Sequence, residues 1–409
     1  MQLVSNLARP ARQAKDFIEF IANFDEFGTK TEIFEEDGLT YYVNEFWTSR
    51  QRQAGRIHEI SYRACFKAQL PGFFINGLTE AGDTVHDPFM GRGTTPIQAA
   101  VMGRRAVGVD INPLSVLLTR PRLAPVTLGA IEARLGEISD AGAWPAPDPL
   151  DDDLMAFYHP ETLARIKGLR RWFAEREADG RADDVDDWIR MVALNRLTGH
   201  SPGFFSVYTM PPNQAVSAHS QRRINARRNQ TPPVRDLSAI IAKKSRSLLA
   251  GGVQGTLPRP DLRCAPAEHT PHIADASVDL VVTSPPFLDI VNYADDNWLR
   301  CWFAGIDPAA VPIAMHRNVD AWTSFVRDVF SELARVVRPG GYVAFEVGEV
   351  RNGKVLLERA VRDALKGLPF AIEGVVVNQQ DFTKTSNCWG VSNNEQGVNT
   401  NRIVLARRY

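Results

Sequence analysis

Residues 83–113 read DTVHDPFMGRGTTPIQAAVMGRRAVGVDINP, and this stretch decides the fold. TVHDPF is a short apolar segment that runs into a turn, TTPIQAAVM is helix-compatible, and GRRAVGVDI reads as a second strand. Pro96 is tolerated because a proline in a first helical turn removes no needed amide. Strand, glycine turn, helix and strand within about 25 residues open a parallel α/β sheet, whose ligands sit beyond the carboxyl ends of the strands. Within the turn, Asp87, Phe89, Gly91 and Gly93 form D-P-F-x-G-x-G. Glycines let backbone approach a ligand closely, and the amides of the following helix start favour an anion. The turn lacks the lysine of a phosphate-binding loop and the G-x-G-x-x-G spacing of a dinucleotide site. Asp110 ends the second strand, where a carboxylate can accept hydrogen bonds from both hydroxyls of a ribose. The same residue could instead cap the next helix.

The second informative stretch is residues 277–287, SVDLVVTSPPF. An apolar strand delivers Thr283, Ser284, Pro285, Pro286 and Phe287 to its end. Two prolines stiffen the backbone and leave carbonyls without competing amide donors. Such a loop can hold acceptors for the hydrogens of an exocyclic amino group, with an aromatic ring available for stacking on a base. Taken alone, it reads equally as a proline turn with a buried phenylalanine.

The rest of the chain is organised around these two signals. Residues 1–56 have no clean period and read as an arm or accessory segment, with ARQAKDFIEFIANF (11–24) as a short amphipathic helix. Residues 57–125 hold the glycine turn. Residues 126–268 differ in composition: PAPDPLDDDL (145–154) is a linker, residues 157–177 and 185–199 look helical, and Leu163, Ile166 and Leu169 recur on one side. Residues 201–237 are rich in proline and polar residues and read as a long loop, with helical signal returning in LSAIIAKKSRSLLA. Residues 269–409 return to α/β, with a helix, a proline-glycine turn and a strand in 326–350 and a terminal strand pair in 367–382 and 401–409.

With 409 residues, 44% apolar and 23% charged, the chain suits a soluble globular protein. Its net charge of -1 neither requires nor excludes a polyanionic partner, so local charge must carry that question. Between Arg222 and Arg246 stand Arg222, Arg223, Arg227, Arg228, Arg235, Lys243, Lys244 and Arg246, with Asp236 the single acid. Arg222, Arg223, Arg227, Arg228, Lys243 and Lys244 are the candidate nucleic-acid contacts, against the plainer reading of a solvated basic face. The four cysteines are widely spaced and the histidines scattered, so neither a disulfide framework nor a metal site is expected. With neither a secretory signal nor a run long enough for a membrane span, the expected location is the cytoplasm.

Together, DPFMGRGTT with GVDINP and then TSPPF resemble the amino-methyltransferases of DNA, the N4-cytosine and N6-adenine enzymes. The resemblance covers about 58–120 and 270–409. It implies a Rossmann-like α/β sheet with a largely helical insert, S-adenosylmethionine as cofactor, and double-stranded DNA as substrate, read by the region between the motifs. It implies cofactor binding by Asp87, Pro88, Phe89, Gly91, Gly93, Thr94, Asp110 and Asn112. SYRACFKAQLPGFFINGL (61–78) stands where such enzymes close over the methionine end, which adds Phe66 and Lys67. Catalysis falls on Ser284, Pro285, Pro286 and Phe287, and serine at the first position goes with cytosine N4. Two departures stand out: DLRCAPAEHT (261–270) has no clear match to the acid that relatives place near the adenine ring, and Phe287 is less usual than tyrosine or tryptophan. N6-adenine methylation, an RNA substrate and a non-catalytic DNA-binding subunit are the competing readings. A cognate restriction nuclease and the oligomeric state stay open.

Overall fold

A computed structural model describes residues 14–48, 55–62, 65–142, 144–210, 215–250, 259–286, 288, 293–313, 316, 318–347, 349–350, 355–380 and 399–409. The decisive stretch folds as expected: β3 (Thr84–Asp87), α3 (Thr94–Val101) and β4 (Arg105–Asp110) follow one another, preceded by α2 (Gln69–Leu78) and followed by α4 (Pro113–Leu123). β3 and β4 pair in parallel, Val85 opposite Ala106 and Asp87 opposite Gly108.

Residues 14–48, within the expected accessory segment, pack into the main body of the fold. The helix α1 (Ala14–Ala22) places Phe17 and Ile21 in the core, where Phe17 meets Phe73 and Phe74 of α2 edge-on or tilted. Burying one such ring contributes roughly 1.5–3 kcal/mol. The hairpin β1 (Glu32–Glu36) and β2 (Leu39–Asn44) then joins the main sheet.

Among the described residues that sheet has nine strands, in the order β1-β2-β10-β11-β7-β6-β3-β4-β5. Its later members are β5 (Asp261–Cys264), β6 (Val278–Thr283), β7 (Val337–Val347), β10 (Phe370–Gln380) and β11 (Asn399–Arg408); β8 (Glu349–Val350) and β9 (Val355–Leu356) make a separate two-residue ladder. Strands β5, β4, β3, β6 and β7 are parallel, and β11 runs antiparallel to both β7 and β10. The chain starts at β3, moves outward through β4 to β5, then returns to β6 on the other side of β3. The strand order therefore reverses between β3 and β6, which opens a crevice at their carboxyl ends. The Pro339–Gly340 turn read in the sequence is absorbed into the start of β7, with a register shift against β6 and φ +80° at Gly340.

Between β4 and β5 lie α5 (Leu128–Asp140), α6 (Asp152–Met155), α7 (Pro160–Ala178), α8 (Asp184–Arg196), α9 (Ala218–Arg228) and α10 (Leu237–Leu249). Leu163, Ile166 and Leu169 share one apolar core with Trp188 of α8, Ile241 of α10 and Leu118 of α4. The helical insert is thus built onto one face of the sheet. It ends earlier than residue 268, because β5 is an edge strand of that sheet. The loop expected over 201–237 contains α9, capped by the Ser217 hydroxyl, which accepts from the Ser220 amide. After β6 come α11 (Tyr293–Ala304), α12 (Val319–Val336) and α13 (Leu357–Ala364), with Trp322, Val326, Val329, Phe330 and Leu333 of α12 packed on the opposite face. Among the described residues, no helix is long and apolar enough to cross a membrane.

Candidate active site

The turn after β3 is held by carboxylates. Asp87 is buried, and its Oδ1 accepts from the Phe89 amide at 3.1 Å and from the Thr283 hydroxyl at 2.6 Å. One side chain therefore ties the glycine turn to the end of β6. The Thr95 hydroxyl makes a second tie, donating to the Val282 carbonyl at 3.0 Å. Burial pushes the Asp87 carboxyl up to about 7, against the lowering effect of its hydrogen bonds.

Asp110 clamps the other side of the turn. Its Oδ2 accepts from the Gly91 amide at 2.8 Å and its Oδ1 from the Asn112 amide at 2.8 Å. The cap of α4 is Asn112, which accepts from the Leu114 amide at 3.1 Å. The helix-cap alternative for Asp110 thus passes to its neighbour. Each Asp110 oxygen keeps acceptor capacity beyond its single amide. Burial also raises the Asp110 carboxyl.

The two glycines act differently. Gly91, at φ +48°, lines a cavity, and an added Cβ would meet nothing nearer than Cys65 Sγ at 3.8 Å. Gly93, at φ +80°, faces α4, where a Cβ would lie 2.3 Å from Thr119. Gly93 therefore serves helix packing, not the cavity wall.

Two arginines hold the segment before α2 over this turn. Arg92 donates to the Ile60 carbonyl at 2.7 Å and the Phe66 carbonyl at 3.2 Å. The buried Arg122 donates to the carbonyls of Leu118, Ile57 and Arg92. Its guanidinium is lowered to about 9, first by burial and then by Arg92. The segment so held brings Tyr62, Cys65 and Phe66 to the cavity. Lys67, expected beside Phe66, is exposed and absent from the wall.

The cavity encloses about 350 Å³. Asp87, Pro88, Phe89, Gly91, Thr94, Asp110 and Asn112 line it, as the sequence predicts, and so do Ser284 and Pro286. Pro285 is buried behind the wall, and Phe287 lies outside the described residues. Trp322 of α12 anchors the proline loop, its Nε1 donating to the Pro286 carbonyl at 2.9 Å. The sequence reading missed Glu268, which follows β5 and stands on the rim, and Phe325 of α12. It also missed Glu346, near the end of β7 and 8% exposed. Asn401 Nδ2 donates to Glu346 Oε1 at 2.5 Å, and the Ser284 side chain hydrogen-bonds the same carboxyl. Burial lifts Glu346 to about 7, with Asn401 and Ser284 opposing. A lone acid inside the apolar run VAFEV was its available signal.

The six basic candidates divide. Arg222 pairs with Asp152 at 2.6 Å and Asp153 at 3.1 Å; Lys244 is mostly buried against Glu59 at 3.0 Å; and Arg228 stacks over the Tyr208 ring at 3.8 Å. Arg222 and Arg228 are nonetheless exposed, so internal burial sets only Lys244 apart from the expected surface. Arg223, Arg227 and Lys243 are exposed.

A parallel sheet with one reversed strand beside β7, a cavity at the carboxyl ends of β3 and β4, and a proline loop opening on that cavity from β6 make a Rossmann-like α/β sheet with a helical insert. Residues 23–119 match the family model described as DNA methylase. The chain is similar to the type II methyltransferase M.MjaII of Methanocaldococcus jannaschii, 36% identical over 76 residues, 18% of this chain and 14% of that one. It is also similar to M.BsoBI of Geobacillus stearothermophilus, 22% identical over 321 residues, covering 68% of this chain and 57% of the relative. A third relative, M.MvaI of Kocuria varians, is 23% identical over 278 residues, 61% of this chain and 56% of that one. The chain thus spans at most 57% of the length of these relatives.

The residues present fit S-adenosylmethionine, the cofactor that the sequence motifs imply. The cavity offers an open backbone face at Gly91, an apolar wall from Pro88 and Phe89, and two carboxylates, one with spare acceptor capacity.

Proposed function

We propose that this chain methylates N4 of cytosine in double-stranded DNA, using S-adenosylmethionine. The observation that carries this reading is Ser284. It leaves β6 at the reversal of strand order and opens on the same cavity as Asp87, Gly91 and Asp110. In this reading Asp110 takes the ribose hydroxyls, Tyr62, Cys65 and Phe66 cover the methionine end, and Glu268 on the cavity rim is an acid within the wall available to the adenine ring. When bound, the cofactor supplies a methyl group already activated on a sulfonium, so alignment is a large part of the catalysis. The Ser284 hydroxyl and the Pro285 carbonyl accept the two amino hydrogens and turn the nitrogen lone pair toward the cavity. The base must leave the duplex stack to reach this loop, at a cost of a few kcal/mol. The helical insert, with Arg223 and Arg227 exposed on α9, is the proposed reader of the duplex.

Mass spectrometry of nucleosides from treated duplex DNA tests the proposal. N4-methylcytosine is the expected product, and Ser284→Ala is expected to lower its yield while cofactor binding persists. N6-methyladenine as the sole product would defeat the cytosine assignment, and full activity in Ser284→Ala would defeat the serine's role.

A further inference from the structure

Four polar side chains stand in a row across neighbouring strands at the edge where the proline loop opens. Ser284 follows β6, Glu346 lies on β7, Asn401 on β11 and Asn378 on β10. Ile403 is paired with Glu346, and Asn401 precedes Ile403 by two residues, so Glu346 and Asn401 share one face of the sheet. Asn378 is paired directly with Asn401 and shares it too. The row is connected, since Ser284 and Asn401 both hydrogen-bond the Glu346 carboxyl. Asn401 Nδ2 carries two hydrogens and gives one to Glu346. At the far end Asn378 is fully buried. Its Oδ1 accepts from the amides of Phe46 at 2.7 Å and Trp47 at 3.1 Å, while its Nδ2 has no partner among the described residues. A buried donor without a partner is costly, and such groups call for a ligand or water as an explanation. This face therefore presents an acceptor, a carboxyl and then amide donors, beginning beside the atom that would hold an amino group.

We propose that Glu346 and Asn401 read the Watson–Crick edge of the flipped base, and that Asn401 selects cytosine over adenine. The inference rests on the cytosine reading above. From its amino group the cytosine edge runs donor, acceptor, acceptor: N4, N3 and O2. Ser284 takes N4, a protonated Glu346 donates to N3, and the second Asn401 hydrogen goes to O2. The adenine edge runs N6, N1 and then a carbon-bound hydrogen, which would leave the Asn401 donor facing no acceptor. A site built to hydrogen-bond a group rejects the analogue that lacks it, because its own polar atom is left unpaired. The position of Glu346 between neutral groups, with its carboxyl lifted to about 7, favours the protonated form that N3 requires. The Glu346 proton remains on the carboxyl throughout, the sulfur–methyl bond breaks as the nitrogen–methyl bond forms, and the methylated nitrogen loses its own proton to water.

The test uses the full chain and a duplex carrying its methylation site, as mapped by sequencing DNA from cells that express it. On the parent protein, replacing the target cytosine with 3-deazacytosine, which has carbon in place of N3, should lower kcat/KM by about 10–100-fold. Glu346→Leu should be slow on both duplexes and lose the difference between them. Glu346→Gln, which keeps a donor at the same place, should retain most of the parent's activity. Asn401→Leu should lower kcat/KM on cytosine and narrow the preference for cytosine over adenine placed at the target. Equal methylation of cytosine and 3-deazacytosine by the parent would overturn the proposal, and this arm needs no variant to fold. An inactive Glu346→Gln with intact cofactor binding would also overturn it, pointing to a base in place of a donor. A parent that makes only N6-methyladenine fails the cytosine reading itself, whereas N4-methylcytosine with insensitivity to N3 fails only this inference.

Discussion

Asp110 shows how much one side chain organises here. Its two oxygens hold the Gly91 and Asn112 amides, so the glycine turn and the start of α4 are fixed relative to each other through a single carboxylate. If its remaining lone pairs hold the ribose, Asp110→Ala should weaken S-adenosylmethionine binding by about 1.5–3 kcal/mol, the worth of a hydrogen bond to a charged group. Titration calorimetry on a variant with parental circular dichroism checks this, and unchanged affinity would remove Asp110 from the ribose site. Asp110, Gly91 and Ser284 were legible because each sits at a strand end marked by its own neighbours in sequence. Glu346 was not, because the partner that gives it meaning, Asn401, is 55 residues away. Lys67 was misplaced for the converse reason. Adjacency to Phe66 does not set the direction of a side chain, and the lysine points to solvent while its neighbour lines the cavity.

At the scale of elements, the join between β3, the turn and α3 depends on the close approach of α3 to α4. Gly93 makes that approach in a left-handed conformation, with Thr119 directly against it. Gly93→Ala adds both backbone strain and a clash, each costing of order 1–3 kcal/mol. The expected outcome is a loss of several °C in Tm by calorimetry. Gly91→Ala carries the strain without the clash, so it should cost less stability and act more on cofactor affinity. Equal Tm losses for the two variants would contradict the division of labour between the glycines. The core elements of the sheet were legible from periodicity, since β3, β4, β6 and α12 carry their own patterns. The hairpin of β1 and β2 was hidden. Its place depends on β2 pairing with β10, Asn44 against Asn378, a pairing that no local pattern announces.

For the whole molecule, buried titratable groups set the response to pH. Burial lowers His58 to about 3 and His86 to about 4, so on acidification below 6.5 the unfolded chain takes up protons that the folded chain refuses. Their contribution to stability falls as pH drops from 6.5 toward 4. Glu346 and Asp87 lie near 7 when folded and near 4 when unfolded, so theirs is largest at low pH and falls as pH rises through that window. The two pairs oppose each other. Glu346→Gln removes one carboxylate, and its Tm should drop more steeply than the parent's between pH 6.5 and 4.5 in a melting series. Parallel pH curves would show that folding leaves the Glu346 carboxyl at its unfolded value. Charge at long range is a second property of the whole chain. If Arg223, Arg227 and Lys243 meet phosphates, replacing all three with alanine should flatten the slope of log K for duplex DNA against log salt by about 0.9 for each phosphate no longer neutralised. Arg222→Ala, which breaks an internal pair, should leave that slope unchanged.

The sequence by itself determined the parallel sheet, the glycine turn with its strand-end acid, and the proline loop that begins with Ser284. Each of these is written within a dozen residues, where alternating apolar positions, glycine and proline act locally on backbone geometry. Only the tertiary structure decided that residues 14–48 include part of the main sheet, that Gly93 packs α4 while Gly91 faces the cavity, and that three of six basic residues have partners within the fold. It alone set Glu346 and Asn401 beside Ser284. These outcomes depend on strand register and on side-chain direction between segments tens to hundreds of residues apart. No local pattern encodes such pairings; they arise when the buried faces of the elements are packed against one another.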